Sequence, residues 1–138
     1  MNSKLNPYLN VLLTMPLFSG VENRDDLAWL LNCIDADLKE YRAGEEAVSP
    51  GEDLYFAGMV ISGTLQAEED GEIRQIDAGQ MIPVPFEAGK AYAVSKARVT
   101  AKTGTKVLSM RWMRMPQVCN FNCEHHKKFI QNLWDLMG

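Results

Sequence analysis

Apolar positions change their period twice along this chain. Near the start, Leu9, Leu12 and Leu13 recur at helical spacing, and Leu27, Leu30, Leu31 and Ile34 repeat it, so each set falls on one helix face. Asn6, followed by Pro7, suits the cap and first turn of the first helix, which Pro16 ends. Asn23 suits the cap of the second, with Asp25 and Asp26 close to the positive end of its dipole. Cys33 is expected beneath this second helix, buried and inert.

From Leu38 the helical period stops. Gly44, Gly51, Gly58, Gly63, Gly71 and Gly79 punctuate runs rich in Val, Ile, Tyr and Thr, the mark of many short strands. Asp70-Gly71 predicts a two-residue hairpin turn, and Thr103-Gly104 a turn within a second strand block. After Met115-Pro116 the pattern returns to helix as far as Met137. Strands gathered in one block between helices indicate a mainly β, antiparallel sandwich or jelly roll with helices packed at its ends. Residues 1–36 are expected to form two leading helices, 37–113 the jelly roll, and 114–138 a closing helix, all in one domain.

Composition narrows the function more than the fold. A chain of 138 residues, 46% hydrophobic, supports one core rather than two. Its net charge of −4, with no run of Lys or Arg longer than two, makes the chain as it stands a poor candidate for holding DNA. The apolar run VLLTMPLF is broken by Thr14 and Pro16 and is too short to cross a membrane, and it lacks the basic flank and small-residue cleavage site of a signal peptide. Three cysteines, an odd count, point to a reducing cytoplasm rather than a disulfide framework.

Three stretches carry a family likeness. MPLFSGVENRDDLAWLL, from Met15, precedes YRAGEEAVSPGEDLYFAGMVISGTLQ, with its Ile61-Ser62-Gly63-Thr64-Leu65 strand, and TKVLSMRW closes the β block. In that order they resemble the effector domain of the CRP/FNR family of bacterial transcription regulators, over nearly the whole chain. The resemblance implies a cyclic-nucleotide-binding-like, cupin-like double-stranded jelly roll whose closing helix pairs two subunits. It implies a non-enzymatic, effector-sensing role without a cofactor. In the family a helix-turn-helix domain follows, so DNA is an expected partner only through such a domain, which this chain does not contain.

Within the resemblance, the nucleotide cassette is altered. Gly79-Gln80-Met81-Ile82 fits the turn that opens it, but Val84 stands where the family has a ribose-binding Glu, and the phosphate-binding Arg would fall near Ser95 or Lys96. Pro83 and Pro85 each remove a backbone N–H that could face a phosphate. Cyclic AMP is therefore not the expected ligand. Met81, Ile82, Val84 and Phe86 either fill the barrel or line an altered pocket for a small apolar or aromatic effector, with Lys96 as a candidate anchor for a carboxylate.

The stretch VCNFNCEHHKKF concentrates Cys119, Cys123, His125 and His126. On a helix capped by Asn122, residues Cys123, His126, Ile130, Leu133 and Met137 alternate at three and four, and Trp134 joins their face. That seam predicts a homodimer interface. Asn132 falls on the opposite, polar side with Glu124, Lys127, Lys128, Gln131 and Asp135. Cys119, Cys123 and His126 form an alternative redox, metal or haem site, although Cys-x3-Cys-x2-His matches none of the common zinc spacings. A cupin-like enzyme is a further alternative, disfavoured because no histidine precedes His125. The acidic run Glu68-Glu69-Asp70-Gly71-Glu72 is expected to be a solvated hairpin tip.

Overall fold

Helices come first, as their spacing predicts, but the first is shorter. The computed structural model describes residues 3–84, 90–112 and 124–137. Ser3–Tyr8 is a 3-10 segment that contains Asn6 and Pro7, and α1 covers only Leu9–Leu12. Asn6 is therefore not the cap: the N-cap position is Tyr8, which makes no capping side-chain bond. A second 3-10 turn, Pro16–Phe18, leads to α2 (Arg24–Cys33). There Asn23 Oδ1 accepts the Asp26 N–H at 2.9 Å, as a cap should. Leu27, Leu30, Leu31 and Ile34 are buried. Cys33 lies about 110° round the helix from the centre of that stripe and is half-buried rather than enclosed.

Nine strands follow among the described residues: β1 (Asp37–Tyr41), β2 (Glu46–Val48), β3 (Asp53–Leu54), β4 (Phe56–Ser62), β5 (Leu65–Glu69), β6 (Glu72–Ile76), β7 (Ala93–Val94), β8 (Arg98–Ala101) and β9 (Thr105–Arg111). They form antiparallel sheets in the orders β1-β9-β4, β2-β8-β5-β6 and β3-β7. The jelly roll is thus mainly β, as expected. Between β5 and β6, Glu69 pairs with Glu72 across Asp70 and Gly71, both at positive φ, which is the two-residue hairpin predicted.

Strand alternation divides the core in two. On β4 and β9, Ala57, Met59, Ile61, Leu108 and Met110 face the helices and join Phe18, Leu30 and Trp112. Their neighbours Val60 and Val107 face the other way, into the barrel, with Leu65, Ala67 and Val99 from the second sheet. The closing helix α3 (Glu124–Met137) lies on the helix side, where Phe129 and Leu133 are fully buried and Phe129 stacks on Phe18 with ring centroids 5.9 Å apart. No helix of the described residues is long and apolar enough to cross a membrane.

Candidate effector cleft

The segment after β6 is shaped by a turn and then by β4. Gln80 N–H bonds to Asp77 O at 3.0 Å, the Gln80 side chain accepts Asp77 N–H at 2.7 Å, and Gly79 takes φ +87°, a conformation that favours glycine. Beyond the turn the backbone runs antiparallel to β4: Gly79 N–H bonds to Val60 O, Val60 N–H to Gln80 O, and Ile82 N–H to Gly58 O. Adjacent side chains therefore point to opposite sides. Met81 packs against the helix-side core, and Ile82 against the barrel core.

Ile82, Pro83 and Val84, with Met81 at the edge, form one wall of an open cleft of about 330 Å³. Glu69 and Arg74 from the β5-β6 hairpin, Lys96 before β8, and Leu136 near the end of α3 complete it. The structure thus gathers Met81, Ile82, Val84 and Lys96 at one place, while Phe86 lies outside the described residues. Arg74, Glu69 and Leu136 were missed by sequence reasoning. Their signal was weak, because an Arg in an exposed hairpin and a Leu at a helix end both look ordinary.

Ser95, one of the two positions where a phosphate-binding Arg is expected, is 2% exposed and closed on its own chain. Its Oγ donates to Ala97 O at 2.8 Å and accepts Ala97 N–H at 3.2 Å. Its backbone is held on both sides, with Ser95 N–H on Glu52 O and Gly51 N–H on Ser95 O. Lys96 is exposed and makes no ion pair among the described residues.

The candidate dimer face divides. Leu133, assigned from the wheel to a seam between subunits, is filled by the chain's own helix-side core and is 0% exposed. Ile130 is half-buried, Trp134 is 40% exposed, and Leu136 is 38% exposed. Trp134 and the buried Trp112 meet in a T-shaped contact, with ring centroids 6.0 Å apart. Asn132, assigned to the polar face, turns inward: its Nδ2 donates to Leu17 O at 3.1 Å and to Ser19 O at 2.8 Å. These bonds satisfy one carbonyl within the Pro16–Phe18 turn and one at the residue that caps it. The helix is therefore rotated toward the Asn132 side, and Ile130 and Trp134 form the outer margin of its apolar arc. His126 and Met137 fall within α3. Cys119, Cys123 and Asn122 lie outside the described residues, so two of the three candidate metal ligands do too.

No protein-family model matches the sequence, and no curated protein sequence does. Solved structures do share its fold, at low identity. A cyclic nucleotide-binding domain from Methylobacillus flagellatus KT aligns with a TM-score of 0.75 at 12% identity, over 96% of this chain and 78% of that one. The N-terminal domain of a transcriptional regulator from Streptomyces coelicolor A3(2) aligns at 0.65 and 17% identity, over 91% and 88%. The C-linker/CNBHD of zELK channels, crystallised in the presence of cAMP, aligns at 0.68 and 20% identity. That match covers 91% of this chain, which spans 63% of the channel fragment's length. The protein has the antiparallel jelly-roll fold of cyclic nucleotide-binding domains.

Proposed function

We propose that the protein is a ligand-sensing regulatory domain of the CRP/FNR type, cytoplasmic and non-enzymatic, whose nucleotide cassette has lost cyclic-nucleotide binding. One observation carries the loss. The cassette wall is Ile82-Pro83-Val84, and Ser95, one of the two positions where a phosphate-binding Arg is expected, has its hydroxyl engaged with Ala97. The Ile82 N–H is bonded to Gly58 O and is not free for a phosphate. Arg74 and Lys96 keep positive charge in the cleft, but Glu69 stands beside them and the wall offers apolar contact. A small apolar or aromatic effector with one acidic group suits this mixture better than a sugar-phosphate. The similarity to the Streptomyces regulator's N-terminal domain supports a regulatory reading.

Calorimetric titration with cyclic AMP at millimolar concentration is expected to show no saturable heat. Saturable binding would sink the reading of a lost nucleotide site.

The same proposal includes a homodimer formed through the outer margin of α3, with Ile130 and Trp134 at its described centre. Trp134 is a large apolar side chain left 40% exposed on that margin, and Trp is enriched at interface centres. Trp134→Glu should give a folded monomer: sedimentation equilibrium should fall to half the wild-type mass with an unchanged far-ultraviolet spectrum. A variant that stays dimeric, or a wild-type protein that is already monomeric, would remove the dimer from the proposal.

A further inference from the structure

Ile82 and Val84 also border a second, smaller space of about 130 Å³, which otherwise shares no lining residue with the cleft. It lies on the barrel face of β1, β9 and β4 and owes its existence to register. Gly58 on β4 pairs with Ser109 on β9, and Ser109 pairs with Asp37 on β1. Gly58 contributes no side chain, and the Ile82 side chain crosses above it so closely that a Cβ there would lie 2.8 Å from Ile82 Cδ1. The gap beside that crossing is walled by Val48, Leu54, Ile82 and Val107.

Its polar groups are all capable donors, and no acidic side chain lines it. Ser109 is 5% exposed, and its hydroxyl has no hydrogen-bond partner among the described residues. A buried hydroxyl without a partner is destabilising, so such groups are rarely left unmatched. Lys39 pairs with Val107, which makes it a diagonal neighbour of Ser109 on the same face, about 7–8 Å away at the backbone and within the span of its side chain. Lys39 is exposed at the rim and has no ion pair among the described residues. Tyr41 completes the set: burial first, then Glu52 and Glu45, push its phenol above its usual range, so it stays a neutral donor.

We propose that this slot binds a small apolar carboxylate. Its ring or branched chain would lie among Val48, Leu54, Ile82 and Val107, and its carboxylate would accept hydrogen bonds from Ser109 Oγ and the Lys39 ammonium. A dry protein cavity of about 150 Å³ holds a benzene ring, so the space suits one ring or a short branched chain with the acid at the rim. The site is separate from the cleft and stands whether or not the cleft takes an effector.

Benzoate is a suitable probe, with benzyl alcohol as its uncharged counterpart. Titration followed by protein amide shifts should show saturable benzoate binding and much weaker benzyl alcohol binding. Lys39→Gln should weaken benzoate about tenfold or more, the effect of losing one charge-assisted contact. Ser109→Val, which removes the hydroxyl donor and narrows the slot, should abolish binding. If Ser109→Val does not fold, the surface change Lys39→Gln still decides the matter. Arg74→Ala and Lys96→Gln should leave benzoate affinity unchanged. The proposal is overturned by absence of saturation at millimolar benzoate, by equal binding of the alcohol, by an indifferent Lys39→Gln, or by loss of binding in the two cleft variants.

Discussion

Gly63→Ala is expected to destabilise the protein by about 3–5 kcal/mol, read as a lower urea midpoint with an unchanged slope. Gly63 ends the passage from β4 to β5, where the chain leaves one sheet for the other. Its φ is +89°, and an added Cβ would lie 2.4 Å from Gly104 O, 2.7 Å from Thr105 Oγ1 and 2.8 Å from Thr105 Cα. Two of those atoms are backbone and cannot swing aside. The corner is also locked by side chains: Thr103 Oγ1 accepts Thr64 N–H at 3.2 Å, and Thr105 Oγ1 lies 2.8 Å from Thr103 O and 3.2 Å from Thr64 O. Gly71 is the internal control. Its φ is +83° with nothing within 4 Å of an added Cβ, so Gly71→Ala should cost only about 1 kcal/mol, the conformational part alone. Equal losses at the two positions would show that contact at the corner contributes nothing.

Both glycines were legible as glycines, yet the sequence did not distinguish them. Local signals were read correctly where the physics is local: Asn23 with its aspartates made a cap, Asp70-Gly71 made a hairpin, and glycine-punctuated β-branched runs made a jelly roll. What failed to show was anything set by a partner far along the chain. The opposition of Gly58 and Ser109, which opens the slot, depends on the register of β4 on β9. Likewise, Met81 and Ile82 look like two members of one apolar run until pairing with β4 sends them into different cores. The cleft was half legible, because the altered cassette is local, while Glu69, Arg74 and Leu136 arrive from elsewhere. On α3 the hydrophobic arc was real, but periodicity reports that a face is apolar and not which neighbour covers it. Asn132 shows the consequence: a polar residue faces inward because two open carbonyls at Leu17 and Ser19 meet it there.

Leu133→Glu, a natural choice for splitting a dimer whose seam includes this residue, should instead unfold the domain. Leu133 is 0% exposed within a single chain, in the same cluster as Trp112, Phe129, Leu17 and Phe18. A carboxylate there would have no partner, and an uncompensated buried charge costs about 3–5 kcal/mol in addition to the lost apolar contact. Leu133→Ala gives the milder measure, with an expected loss of about 2–5 kcal/mol from the removed apolar contact and the cavity it leaves. The expected signature of Leu133→Glu is loss of tryptophan emission structure and of cooperative unfolding, with Trp112 exposed, rather than a clean halving of mass. Trp134→Glu, one residue along but 40% exposed, should do the reverse, keeping the fold and changing only the assembly. If Leu133→Glu yields a well-folded monomer, then α3 does not pack on its own domain in solution, and the assignment of its two margins must be exchanged.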